Sequence, residues 1–213
     1  MGKPLEVNPW KNMWTKPKNT IRSIVNYNPN YRIWVLSFLY GFVTLISLAQ
    51  KFSLGFSLNT YIIIAFSIIF APIIGYVIFS FFAYVVFFTG KWLKGESKYI
   101  EVRSAIAWSN ILMIVNVIFW LLLFIIFQGK LFQSFPISYQ LTNNETVFLF
   151  VILFLQMVAS IWTIVLYVNT LAEVQKFSLA KSILNILVAT IILIALFFVL
   201  SLVYNLTFRI INA

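Results

Sequence analysis

The chain contains no cysteine and no histidine, and its acidic residues are 5 glutamates with no aspartate. Those absences remove disulfides, thiolate chemistry, the usual zinc and copper ligand sets and any Ser-His-Asp triad. Catalysis would have to rest on Glu, Lys, Tyr or Ser alone. The expectation is therefore a protein that is not an enzyme, with no catalytic residues, no cofactor and no metal. Charge is scarce as well: 9% of residues carry it, against about 25% in soluble domains. Apolar residues make up 62% of the 213. A domain of that length still exposes about a quarter to a third of its unfolded surface, so it cannot hide so much apolar side chain from water. A soluble globule is excluded, and lipid is the solvent for most of the chain.

The apolar residues fall into long runs at Ile33–Gln50, Tyr61–Thr89, Ala105–Phe127, Val147–Ala172 and Ile183–Phe208. A hydrocarbon core about 30 Å thick is crossed by roughly 20 helical residues, so each run crosses once. None shows the apolar/polar alternation of a lipid-facing barrel strand. The expected fold class is all-α: a polytopic membrane helical bundle with five transmembrane helices in residues 33–213. A cytoplasmic amphipathic segment at 1–32 precedes them. The second run carries Pro72 and Gly75 near its middle, where proline removes a backbone donor and kinks a helix. Ser67, Ala71, Gly75 and Ala83 share one face at multiples of four, a small-residue stripe that lets helices approach closely. This reads as a kinked, centrally packed helix, with a pair of re-entrant half-helices as the alternative.

Lys and Arg alternate between connecting segments. Lys3, Lys11, Lys16, Lys18, Arg22 and Arg32 precede the first run; Lys91, Lys94, Lys98 and Arg103 lie between the second and third; Lys176 and Lys181 lie between the fourth and fifth. The other segments hold Lys51, Lys130 and Arg209 alone. The positive-inside rule then predicts a cytoplasmic N-terminus and a C-terminus outside. No cleavable signal precedes the first run, which is expected to serve as the insertion signal. Met1-Gly2-Lys3 is not a myristoylation site, since Glu6 stands where Ser or Thr is required. Asn144-Glu145-Thr146 is a formal glycosylation sequon read as a chance occurrence. The net charge of +10 borders the apolar runs instead of forming one face. Anionic lipid headgroups are thus the expected partner and nucleic acid is not, with other proteins or further copies of the chain beside them.

Within residues 8–31, Trp10, Met13 and Trp14 fall at helical spacing, and Ile21, Ile24 and Val25 repeat the pattern. Thr15 suits an N-cap, Pro17 the first turn, and Pro29 the end of the segment. With basic residues interleaved, this predicts a helix lying in the headgroup layer, apolar face down, with Trp10, Met13 and Trp14 as anchors. A disordered basic tail is the alternative.

The sparse polar residues define the candidate sites. Glu101 and Arg103, two apart on one helix, do not face each other, so each needs a partner elsewhere. Glu101, Arg103, Glu173 and Lys181 are expected to converge where helices meet the cytoplasmic surface; local pairing of Glu173 with Lys176 is the competing reading. Asn116 and Gln156 lie near mid-membrane, with Asn110, Asn169 and Asn185 elsewhere in the runs. Interhelical hydrogen bonding is their default role, and a solute path the alternative. Finally, Arg103-Ser-Ala-Ile-Ala107 and Lys181-Ser-Ile-Leu-Asn185, preceded by Lys98-Tyr99 and Lys176-Phe177, suggest that spans two–three and four–five are parallel repeats.

Three segments resemble the Yip1 family of multi-pass membrane proteins, especially its compact bacterial branch. They are Asn8-Pro9-Trp10 through Asn30, Tyr99-Ile-Glu101-Val-Arg103-Ser-Ala-Ile-Ala107-Trp108-Ser109, and Leu171-Ala-Glu173-Val-Gln175-Lys-Phe177-Ser178. The resemblance implies a five-span fold with a cytoplasmic N-terminus, in a bacterial cytoplasmic membrane. Eukaryotic members are tied to vesicle traffic and Rab-type GTPases. This chain shows neither their long N-terminal region nor their Tyr-Gly-Tyr type motif, so no GTPase partner is carried over. The expected function is a membrane-organising or adaptor protein acting through its basic cytoplasmic face. The alternative is a small transporter or channel for an ion, lipid or polar solute.

Overall fold

The computed structural model describes residues 5, 7–133 and 140–211, with side chains as far as residue 205. Lys3, Glu6 and the side chain of Arg209 lie outside the described residues. Every regular element among those described is helical: α1 (Pro9–Asn12), α2 (Pro17–Tyr27), α3 (Ile33–Lys51), α4 (Thr60–Trp92), α5 (Tyr99–Ser109), α6 (Met113–Phe127), α7 (Asn143–Gln175) and α8 (Leu179–Ile211). Short 3-10 turns follow α3, α5 and α6. Five stretches are long and apolar enough to cross a membrane: α3, α4, the composite Tyr99–Phe132, α7 and α8.

The predicted spans sit inside these stretches, which run further at both ends of α4 and α7, by one residue at the start of α4 and by three or four at the other ends. Polar caps account for the extension, because hydropathy alone does not register them. Asn59 accepts from the Tyr61 N–H at the start of α4. At the start of α7, Thr142 and Glu145 cap reciprocally: Thr142 N–H donates to Glu145 Oε2 at 2.8 Å, and Glu145 N–H to Thr142 Oγ1 at 3.3 Å. This capping box satisfies two otherwise orphaned donors and places Asn144 of the sequon within the first helical turn.

The α4–α5 and α7–α8 hairpins turn in the same way. Lys94 (φ 63°) and Lys176 (φ 55°) both adopt the left-handed conformation. The next N–H reaches back over the turn, from Gly95 to Gly90 O and from Phe177 to Ala172 O, each at 2.8 Å. These are Schellman-type endings. The structural counterpart of Lys176 is therefore Lys94, not Lys98. The two hairpins share this ending, in a register that differs from the one read in sequence.

α4 is the centre of the bundle, packed along α3 and touching α5 and α8. It is one helix straight through Pro72, so the re-entrant alternative is excluded. The small-residue face is the α3 contact: Ser67, Ala71, Gly75 and Ala83 are buried. A Cβ on Gly75 would collide with the Ser37 carbonyl, and one on Gly41 of α3 with the Ala71 carbonyl. Only glycine lets the two backbones come so near. One apolar cluster, around Phe79, Val102, Trp108, Leu166 and Leu171, fills the end that carries most cations. A second, around Ile46, Ile63, Trp120, Leu131 and Ile152, fills the far end.

The N-terminal segment departs from expectation in what covers it. α2 starts with Pro17 at its first position, but its N-cap residue is Lys16 and not Thr15. Its apolar face is not turned to lipid. Ile21 and Ile24 are fully buried because α2 packs on α7 and α5.

Candidate functional site

The polar residues concentrate at the basic end of the bundle, where α2, the α4–α5 turn, α5 and the α7–α8 turn meet. Arg103 projects from the first turns of α5 into the protein and is only 8% exposed. One guanidinium nitrogen donates to the Tyr76 hydroxyl of α4 at 2.5 Å, and another to Asn30 Oδ1, before α3, at 2.7 Å. The guanidinium carbon lies 4.9 Å from the Tyr76 ring centre and 5.6 Å from that of Tyr99. Tyr76 is itself stacked on Trp34 of α3 at 4.8 Å, and the Tyr99 hydroxyl donates to the Ser80 carbonyl. This cage is cation–π and amide chemistry, and it contains no carboxylate. Among the described residues, Arg103 Nε has no hydrogen-bond partner.

The four residues expected to cluster are therefore at one end of the molecule but not joined to one another. Glu101 turns back on its own helix, where Oε2 accepts from the Lys98 N–H at 2.8 Å, a capping role that also favours the helix dipole. Glu173 accepts from Arg22 of α2 at 2.6 Å, which supplants the local Glu173–Lys176 alternative. That hydrogen bond, and then the charge of Glu173, hold the Arg22 guanidinium above its ordinary pKa. Lys176 pairs instead with Glu96 at 3.1 Å. Lys181 lies 4.7 Å from the Phe177 ring centre.

Residues that composition did not single out complete the site. Gln175 is buried between two glycines: a Cβ on Gly90 or on Gly95 would strike its amide. Deeper along the same helices, Asn185 of α8 is fully buried. Its oxygen accepts from the Thr89 hydroxyl at 2.6 Å and its nitrogen donates to the Val86 carbonyl at 3.2 Å, tying α8 to α4. Asn185 is thus the interhelical amide that the sequence reading expected in general terms. Asn116 and Gln156 are not. The Asn116 amide nitrogen approaches only Met113 Sδ of its own helix at 3.8 Å. Neither residue lines the cavities of about 650, 440, 220 and 70 Å³.

The anticipated anchors hold α1 and α2 to the bundle, not to lipid alone. Met13 is fully buried, Trp10 meets Trp108 of α5 edge-on at 5.1 Å, and the Trp14 carbonyl accepts from Trp162 of α7 at 3.2 Å. Tyr31 also stacks on Trp108, with ring centres 6.2 Å apart.

No curated protein and no solved structure matches this chain. A family model does: the Yip1 domain, over residues 11–202. That match takes in α2, the Arg103 cage, the Gly90–Gln175 slot, four of the five long helices and most of α8, and the chain accordingly belongs to the Yip1 domain family.

Proposed function

We propose that this Yip1-domain protein is a membrane-organising adaptor, not an enzyme, whose basic end faces the cytoplasm of a bacterial cell. There it acts on anionic lipid headgroups and on other proteins. The observation that carries the reading is how charge is used at that end. Its carboxylates are committed to Arg22, to Lys176 and to the α5 cap. Among the described residues, Lys94, Lys98 and the caged Arg103 therefore stand without a carboxylate partner. Such an excess beside a bilayer attracts anionic lipid by about 1 kcal/mol per exposed cation. Close packing of α3 on α4 through Gly41 and Gly75, with Asn116 and Gln156 away from the cavities, favours an adaptor over a transporter.

The test uses purified protein in vesicles of mixed phosphatidylglycerol and phosphatidylcholine. Energy transfer from the native tryptophans should be stronger to dansyl-phosphatidylglycerol than to dansyl-phosphatidylcholine, and the difference should shrink as salt is raised or with Lys94→Gln/Lys98→Gln. Equal transfer to both lipids overturns the lipid reading. Protein-dependent release of entrapped ions or polar solutes from the same vesicles would replace it with a transporter or channel.

A further inference from the structure

The third span, Tyr99–Phe132, is broken in its first half. α5 stops at Ser109, a 3-10 turn covers Asn110–Leu112, and α6 resumes at Met113. Beside the break lies a cleft of about 220 Å³ enclosed by α3, α4, α5 and α7. Phe79 and Phe82 form part of an apolar wall, and Tyr40, Asn110 and Tyr167 bring polar atoms to the lining. The other hydroxyls there are already used by their own helices: Ser109 donates to Ile106 O at 2.8 Å and Thr163 to Ala159 O at 2.9 Å. The hydroxyls of Tyr40 and Tyr167 have no hydrogen-bond partner among the described residues, and neither is sealed within the protein. The Asn110 amide nitrogen donates to Ile106 O at 2.8 Å, which leaves its side-chain oxygen open. Unpaired hydroxyls and an amide oxygen at membrane depth are costly unless something in the cleft meets them.

We infer that this cleft binds a neutral, membrane-dissolved amphiphile: an apolar chain bearing a hydroxyl or carbonyl oxygen, of the long-chain alcohol type. The lining has no charged side chain, which excludes an ionic ligand. At about 30 Å³ for a water-sized group, the space takes the polar head and the first several carbons, and the rest of the chain lies in lipid. Entry is lateral, past Ile164 at the rim, which is 60% exposed. An ester of bulk phospholipid presents similar oxygen chemistry but is tethered at the headgroup boundary. Tyr40 lies seven residues into α3, about 10 Å along its axis, which favours an untethered ligand. Interrupted helices carrying polar groups at this depth are where membrane proteins build such sites.

A hexadecanol bearing a mid-chain diazirine, photolysed with the protein in vesicles, tests the assignment. Adducts should concentrate on peptides containing Tyr40, Asn110 or Tyr167, and excess unlabelled hexadecanol should lower them about fivefold. The double variant Tyr40→Phe/Tyr167→Phe keeps the rings and should bring labelling close to the level left by the competitor, since two lost hydrogen bonds weaken binding about tenfold. Phosphatidylcholine carrying the same diazirine should show no such concentration. Labelling spread evenly over α8 and the cleft, labelling unmoved by unlabelled alcohol, or equal labelling by the phospholipid each overturns the proposal. The competition is read on the unmodified protein, so it stands even if the double variant does not fold. Vesicle lipid preference is a separate readout, and its failure leaves this result unaffected.

Discussion

Arg103 shows how far a single residue could be read. Its spacing from Glu101 demanded a non-local partner, and the structure supplies two. Neither was legible, because Tyr76 and Asn30 lie 27 and 73 positions away and an aromatic cage leaves no charge pattern. Arg103→Ala removes the donor to the half-buried Tyr76 hydroxyl and to the exposed Asn30 amide, together with the contacts to two aromatic rings, and should cost about 2–4 kcal/mol in detergent unfolding. Arg103→Lys should recover only part of this, since an ammonium cannot span both acceptors and lie flat on the rings. Reversing Arg103 together with Glu101 or Glu173 should bring no rescue, as neither carboxylate touches it. The exchange Arg22→Glu/Glu173→Arg should restore what Arg22→Glu alone removes. That amount is small, about 0.2–1 kcal/mol, because the Arg22 side chain is 60% exposed. Among the amides, Asn185→Leu should cost about 1–2 kcal/mol by removing the two bonds that tie α8 to Thr89 and Val86 of α4, whereas Asn116→Leu and Gln156→Leu should move unfolding by less than about 0.5 kcal/mol.

At the scale of elements, periodicity located the helices well and their surroundings poorly. The apolar stripe of α2 is plain in the sequence, but the same stripe suits a headgroup layer or a protein groove, and only the bundle shows that α5 and α7 cover it. Ile21→Asp should therefore free α2, seen as faster amide hydrogen exchange across Pro17–Tyr27, while the five long helices stay protected. Unchanged exchange across α2 would contradict the burial of Ile21 against the bundle. The break at Asn110–Leu112 was hidden for a different reason: apolar residues continue straight through it. The small-residue face of α4 was legible because glycine and alanine at fourfold spacing have few other uses in a membrane. Gly75→Val must push α3 away from α4 and should lower stability by about 1–3 kcal/mol in the same unfolding assay.

For the whole molecule, lipid as solvent, the count of long helices and the segregation of cations all follow from composition and spacing. The contacts that make the basic end one body do not, since they join α2 to α7 and α5 to α3 across long stretches of chain. The membrane arrangement underlies every functional statement above, and the chain suits a direct measurement because it has no cysteine of its own. Asn19→Cys, Lys98→Cys and Ala180→Cys place single thiols at exposed positions of the basic end, and Phe56→Cys and Gln140→Cys place them at the far end. In intact bacterial cells, a membrane-impermeant maleimide should label the last two and spare the first three until the membrane is opened. Labelling of any basic-end thiol in sealed cells, or of thiols at both ends alike, would contradict the five-span arrangement with its cations inside.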